Sequence, residues 1–190
     1  MTRCCFSLVS LVVLLLAVFP KAPVPTERKN EAVTEKEIHS EAQAWQYSGV
    51  DLPKDQVATI TAKGEWKTNP RWKQAFGAGG NPAKKAGSTY LKPEATEGCL
   101  LIRTGDDILA FSKDDDTLVI KTPGKIYFCV NDEPTEDGVT RFKDLIEGKN
   151  AKDYVGAVAI PAPKDASKGS GFLDNIGSLR VHVVVKKAEK

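Results

Sequence analysis

The chain has 190 residues and a mass of 20.6 kDa, which allows one folded domain with extensions, because a domain takes roughly 100 to 200 residues. Hydrophobic residues make up 41% of the sequence, a globular composition that argues against disorder of the whole chain. The 27 Lys and Arg face 25 Asp and Glu, and the resulting net charge of +2 lacks the basic excess of a nucleic-acid-binding protein. Nucleic acid is therefore excluded as the expected partner.

Residues 1–20 have the features of an export signal. Arg3 supplies a basic start, the run 6–19 is apolar almost without interruption, and Pro20 ends it. A run of this length suits a signal peptide and falls short of the roughly 20 residues that span a bilayer. We therefore expect residues 1–20 to be a signal peptide, the mature chain not to span a membrane, and the protein to be secreted, periplasmic or attached to the cell surface.

Residues 21–41 combine early prolines with dense mixed charge and show no sustained apolar period. Such a composition predicts a flexible linker outside the folded core. A short helix within 31–44 is the alternative for its second half. His39 is then a solvated linker histidine.

From Ala42 onward the sequence consists of short β-rich runs separated by Gly, Pro, Asn and Asp. Several runs alternate apolar with polar residues, which is typical of half-buried strands. The predicted strands are 44–50, 56–66, 98–104, 117–121, 125–130 and 178–186. Many short strands between turns predict an all-β fold, an antiparallel β-sandwich that occupies residues 42–188.

Two stretches interrupt this pattern of strands. Residues 67–90 are rich in Gly, Pro, Asn and Lys and predict a long loop. Residues 133–173 are too long for a hairpin connection and are interpreted as an insertion. Apolar side chains at helical spacing predict one short amphipathic helix within it, over 140–154.

Two cysteines remain once the signal peptide is removed, because Cys4 and Cys5 lie inside it. Cys99 and Cys129 each fall in a predicted strand, and in an oxidising compartment they could form a disulfide that adds roughly 3 to 4 kcal/mol of stability. The alternative is a pair of buried free thiols in strands that do not touch.

No enzyme signature is present in the sequence. It contains no Gly-rich phosphate loop, no Gly-x-Ser-x-Gly turn and no His-Glu-x-x-His motif, and its two histidines, His39 and His182, are far apart. We therefore expect a protein that is not an enzyme; the alternative is a small secreted hydrolase that uses carboxylates alone, although no pair of Asp or Glu stands out for that role.

Oxygen-bearing side chains follow one predicted strand and precede another. Asp132 comes just after the strand that ends at Val130, and Asp174 and Asn175 come just before the last strand. If the two strands are neighbours, these three side chains converge and offer two carboxylates and an amide oxygen, which suit a hard cation such as Ca²⁺. The alternative is that Asn-Asp and Asp-Asn only form turns.

A series of short motifs supports the cation-site interpretation. In chain order these are Trp45-x-x-Ser48-Gly49-Val50-Asp51-Leu52, Val57-x-x-Ile60-x-Ala62-x-Gly64-x-Trp66, Gly98-Cys99-Leu100-Leu101-Ile102-Arg103-x-Gly105, Val130-Asn131-Asp132 and Asp174-Asn175-x-Gly177-Ser178. The series resembles the bacterial calcium-dependent galactophilic lectins of the LecA type and the exported domains related to them. The resemblance covers residues 42–186 apart from the insertion.

The resemblance implies a galactose-binding-like jelly roll in which Asp132, Asp174 and Asn175 hold Ca²⁺. The ion in turn coordinates sugar hydroxyls, with Asn131 as a further ligand-binding residue, and a backbone carbonyl near Thr68 completes the shell. Two departures weaken the match, because 41 residues separate Asp132 from Asp174 and the His-Pro-x-x-Gln element of the lectins is absent.

The sequence therefore predicts an exported, calcium-dependent carbohydrate-binding module, galactose or another glycan being the expected partner. The alternative is a calcium-stabilised structural or adhesion domain that binds no free sugar. The identity of the sugar and the oligomeric state stay open.

Overall fold

The structure, a computed structural model, describes residues 32–112, 117–166 and 169–188. The predicted signal peptide, residues 1–20, and the first part of the predicted linker, residues 21–31, lie outside these ranges. Among the described residues no helix is long and apolar enough to cross a membrane.

The described residues form two antiparallel sheets with one α-helix, which confirms the predicted all-β sandwich. The first sheet contains, in spatial order, β1 (Ala32–His39), β9 (Ile176–Lys187), β3 (Gln56–Lys67) and β6 (Leu118–Ile120). The second sheet contains β5 (Asp107–Ala110), β4 (Leu100–Thr104), β7 (Gly124–Val130), β2 (Ala44–Leu52) and β8 (Val158–Ala159). Each of the six predicted strands is present, with ends that shift by up to two residues.

The core lies between the two sheets and follows the alternation seen in the sequence. β9 pairs with β3 over its whole length, and it buries every second side chain, namely Leu179, Val181, Val183 and Val185. β3 does the same with Ala58 and Ile60. Because full burial of a Val, Leu or Ile side chain contributes roughly 1.5 to 3 kcal/mol, this pair of strands supplies much of the core.

The predicted linker is wrong for residues 32–39, which form strand β1 at the edge of the first sheet. β1 pairs with β9 from Ala32↔Val185 to His39↔Ser178, and Ile38 is completely buried. An edge strand tolerates charged side chains, and they protect it from pairing with other chains. The dense charge of this segment therefore hid a strand that has few inward-facing residues. The alternative of a helix over 31–44 is also wrong for the described residues.

The insertion contains the predicted helix, which starts four residues earlier than expected. Helix α1 spans Glu136–Glu147, and the hydroxyl of Thr135 accepts a hydrogen bond from the Gly138 N–H at its amino end. Phe142 of α1 packs edge-on against Tyr154 at 5.9 Å between ring centroids. β8 also belongs to the insertion and pairs with β2, so the insertion is packed onto the second sheet.

The structure does not contain the disulfide that the sequence allowed, although Cys129 lies on β7 and Cys99 directly precedes the neighbouring strand β4. Cys129 on β7 stands opposite Leu101, and the backbone carbonyl of Cys99 accepts from the Asn131 N–H at 2.8 Å. The cysteines are therefore offset by two residues, and such diagonal neighbours have Cα atoms about 7 to 8 Å apart, beyond the reach of a disulfide. Both are buried free thiols, and burial raises the pKa of Cys99 to about 12.

Candidate metal centre

Two chain segments meet at one rim of the sandwich, where β7 ends and β9 begins. The sequence hypothesis required these two strands to be neighbours, and the structure places β7 in the second sheet and β9 in the first. Asp132 and Asn175 approach each other across the sandwich instead. The rim therefore brings together residues that both sheets supply.

The two ends of the insertion lie close together, and this brings the two halves of the rim together. Gly171 packs directly against the backbone carbonyl of Glu133 and the side chain of Thr135, with no room for a Cβ atom. Ser40 fixes the other side, because its N–H and its hydroxyl both donate to the Gly177 carbonyl, at 3.2 and 2.8 Å. The 41 residues between Asp132 and Asp174 therefore do not separate them in space.

Asp132 and Asn175 each hold a buried oxygen that has no hydrogen-bond partner. Asp132 is 3% exposed, and its Oδ1 accepts from the Glu133 N–H at 2.7 Å while Oδ2 has no partner. Asn175 is 6% exposed, and its Nδ2 donates to the Ser40 carbonyl at 2.9 Å, which leaves Oδ1 without a donor. A buried polar atom without a partner costs about 1 to 3 kcal/mol, so two such oxygens at one rim require an explanation.

The electrostatic environment opposes ionisation of Asp132. Burial, with a smaller contribution from the negative charges of Asp174 and Glu97, raises the pKa of Asp132 to about 7. The Glu133 N–H and the nearby Asn175 amide favour the charged form, but less than burial opposes it. The carboxylate therefore lies where a bound cation would stabilise it strongly.

Two further residues surround this carboxylate, and sequence reasoning missed both. Glu97 is 9% exposed, and burial raises its pKa against the opposing effect of Lys84, whose Nζ lies 3.9 Å from Oε2. Tyr90 is half-buried, and burial together with the charge of Asp132 raises the pKa of its hydroxyl. The position of Glu97 directly before the predicted strand that begins at Gly98 was the only sequence signal for it.

Thr68 adds a third unpartnered polar atom near the rim. Its Oγ1 is buried and makes no hydrogen bond, and its side chain packs against Gly98. The Gly98 N–H donates to the Asn131 carbonyl at 2.9 Å, and Asn131 directly precedes Asp132. Thr68 is therefore linked to the rim through Gly98. The resemblance implied a backbone carbonyl near Thr68 as a further ligand, whereas the unpartnered atom here is the side-chain hydroxyl of Thr68.

Asn131 does not fit its predicted part in ligand binding. It is completely buried, its Oδ1 accepts from the Lys92 N–H, and its Nδ2 donates to the carbonyls of Lys92 and Thr96. A side chain with its amide engaged in this way anchors the neighbouring loop. The loop also bonds to the rim directly, through the Leu91 N–H and the Asp132 carbonyl at 3.3 Å.

The rim offers only oxygen ligands. Within the described ranges no group of three or more His, Cys, Asp or Glu side chains has the arrangement of a metal site. The candidate centre instead mixes carboxylate, amide and hydroxyl oxygens from Asp132, Asn175, Thr68 and the half-exposed Asp174. Such a set suits a hard cation, with water or backbone carbonyls as further ligands.

Comparison of the sequence with protein-family models and with curated proteins found no match. The resemblance to calcium-dependent lectins therefore rests on the motifs in the sequence alone.

Proposed function

We propose that this protein is an exported β-sandwich module that binds Ca²⁺ at the rim and binds carbohydrate through the ion. The observation that carries the proposal is the pair of buried oxygens without partners, Oδ2 of Asp132 and Oδ1 of Asn175. A cation between them would satisfy both atoms and would stabilise the charged form of a carboxylate whose pKa burial raises to about 7.

The chemistry of the donors favours calcium over softer metals. Ca²⁺ takes six to eight oxygen ligands at about 2.3 to 2.6 Å and tolerates irregular geometry, whereas Zn²⁺ prefers thiolate and imidazole. Asp132, Asp174 and Asn175 supply two carboxylates and an amide, and the hydroxyl of Thr68 is a further candidate. The remaining positions would be filled by backbone carbonyls, water or a ligand.

Carbohydrate is proposed as the ligand on two grounds. The first is the resemblance of the rim motifs to those of calcium-dependent lectins. The second is the solvent-facing side of the rim, where the half-exposed Asp174 lies near the half-buried ring of Tyr90. An aromatic ring beside polar groups can contact the apolar face of a sugar while the ion coordinates its hydroxyls.

A second candidate function is a structural calcium site that binds no free sugar. It is favoured by the burial of Asp132 and Asn175 and by the loop that bonds to Asp132 through Leu91. An ion there would join three segments, namely the end of β3, the end of β7 and the start of β9, without an open coordination position.

Calorimetric titration of the full chain separates these functions. We expect CaCl₂ added to EDTA-treated protein to bind and to raise the melting temperature, since a ligand at 100 times its dissociation constant adds about 2.7 kcal/mol. Asp174→Ala should weaken binding, whereas Asp106→Ala, an exposed turn residue, should not. Glycans titrated with and without Ca²⁺ then distinguish a lectin from a structural site, and a chain that ignores Ca²⁺ altogether refutes both.

A further inference from the structure

Four lysines surround a concave region on the outer face of the first sheet. Lys54, Lys121, Lys186 and Lys187 line this cavity of about 420 Å³, which we call the lysine basin. The basin lies at the carboxyl end of β9, whereas the candidate metal centre lies at its amino end. Since β9 has 12 residues and a strand rises about 3.3 Å per residue, the two sites lie toward opposite ends of a strand roughly 35 Å long.

The lining of the lysine basin is positively charged. All four lysines are exposed, no acidic side chain lines the cavity, and no salt bridge joins any of them to a described Asp or Glu. Asp55 is the nearest acid in the sequence, and its backbone carbonyl accepts from the Ala188 N–H at 2.9 Å. In a chain with a net charge of only +2, four such lysines form a local concentration of charge.

The other half of the same sheet face shows that this is not a general property of the surface. There, Glu35 lies 3.3 Å from Arg180 and 3.4 Å from His182, and Glu37 accepts a hydrogen bond from Ser178. Arg180 at that end thus has an acidic neighbour on the adjacent strand β1. The outer face is therefore polarised along β9.

The floor of the lysine basin is partly apolar. Val57 and Thr59 of β3 line it together with Val119 of β6, which stands opposite Thr59 and is 50% exposed. Gln56 adds an amide at the edge. The cavity thus combines point charges at its rim with apolar carbon, a hydroxyl and an amide at its base.

We propose that the lysine basin binds oligosaccharides that carry sulfate or phosphate groups. Lysine ammonium groups act as point charges with three donors each, which suits such anions. Val57 and Val119 provide surface for the C–H face of a sugar ring, while Thr59 and Gln56 can bond to its hydroxyls. This proposal goes beyond the proposed function and does not depend on Ca²⁺ at the rim.

The test is calorimetric titration of the full chain in EDTA with a sulfated heparin-type hexasaccharide and with mannose 6-phosphate. We expect at least one of these sugars to bind. Its affinity should fall at least tenfold in the double variant Lys121→Gln, Lys186→Gln, and should also fall as the salt concentration rises from 50 to 200 mM. Lys63→Gln, an exposed lysine on the other half of the same sheet face, is the matched control and should change binding less than twofold. The substituted lysines are exposed, so unchanged melting temperatures verify folding.

Several outcomes overturn the proposal. These are no binding of either sugar, equal loss in the Lys63→Gln control, equal binding of a desulfated hexasaccharide, or binding only to phosphatidylglycerol vesicles. A Ca²⁺ titration of the same preparation reports on the rim separately, so failure at one site is distinguishable from failure at the other.

Discussion

Gln43 and Thr135, which are 92 residues apart in the chain, exchange two hydrogen bonds in the interior of the protein. The Thr135 N–H donates to Gln43 Oε1 at 2.9 Å, and Gln43 Nε2 donates to the Thr135 carbonyl at 3.0 Å. Gln43 Nε2 also donates to the Ile160 carbonyl at 2.9 Å, and the backbone carbonyl of Gln43 accepts from the Ile160 N–H. One buried side chain, directly before β2, therefore connects the start of the insertion to its later part at Ile160.

Replacement of Gln43 should detach the insertion. We expect Gln43→Leu to lower the free energy of unfolding by about 2 kcal/mol, because it leaves the backbone groups of Thr135 and Ile160 buried without partners. Hydrogen exchange should become faster in α1 and stay unchanged in β3 and β9. Uniform destabilisation without a local change in α1 would contradict this assignment.

Gly138 should tolerate no side chain while Gln43 is present. A Cβ atom at Gly138 would collide with Gln43 Oε1, so Gly138→Ala should lower the melting temperature by several degrees. Gly87→Ala is the matched control, since a Cβ atom there would meet Tyr90 at an ordinary 3.8 Å. If the collision is the cause, Gly138→Ala should cost less in a Gln43→Ala background, and additive effects would exclude it.

The stability of the calcium-free protein should fall as pH rises. The pKa of Asp132 is raised from 3.8 to about 7 in the folded state. Between these pH values the unfolded chain binds fewer protons than the folded protein, so the free energy of unfolding declines as pH rises, by on the order of 4 kcal/mol in total. Above pH 7 this effect is complete. Ca²⁺ should reverse the decline, because it binds the ionised carboxylate, and its affinity should rise between pH 6 and 8.

Denaturant unfolding at several pH values in EDTA, with and without excess Ca²⁺, measures this dependence. Asp132→Asn imitates the protonated acid, so it should remove the pH-dependent decline and the response to Ca²⁺ together. Asp106→Asn should keep both. A wild-type stability that stays level from pH 4 to 7 in EDTA would falsify the assignment of Asp132.

Arg103 should contribute to stability through two aromatic rings. Its guanidinium carbon lies 4.8 Å from the ring centroids of both Trp45 and Tyr127. Arg103→Met keeps most of the aliphatic stem and should cost about 1 to 2 kcal/mol, measured by denaturant unfolding, with a shift of tryptophan fluorescence. Lys125→Met is the comparison, since Lys125 is exposed and stands 5.7 Å from one ring, Tyr47, and we expect a loss below about 0.5 kcal/mol.

Cys99 and Cys129 should react with a thiol reagent only after unfolding. Both are buried, and burial raises the pKa of each thiol well above its usual range, so few thiolates form at neutral pH. Peptide mapping after alkylation should recover both residues as labelled thiols from denatured protein and neither from native protein. Recovery of a Cys99–Cys129 disulfide peptide, or a fall in melting temperature with reductant, would overturn this assignment.

Alternating strands such as β9 and β3 were predictable because a period of two in apolar residues identifies a half-buried strand directly. β1 was not, because an edge strand with Ile38 as its one fully buried hydrophobic residue has the composition of a linker. Asp132 and Asn175 were predictable as side chains next to strand ends. The way in which they meet was not, because alternation shows which face of a strand is buried and says nothing about which sheet contains it.

The closure of the insertion, with Gly171 packed against Glu133, has a consequence for protein engineering. A segment that leaves and re-enters a scaffold at one place can accept extra chain at an exposed turn while the scaffold keeps its geometry. The exposed turn at residues 148–150, after α1, is thus a natural graft site for an affinity tag or a reporter domain, whereas β8 and Ile160 pack against the scaffold and must stay. A reporter placed there would be carried on a segment whose two ends adjoin Asp132 and Asp174.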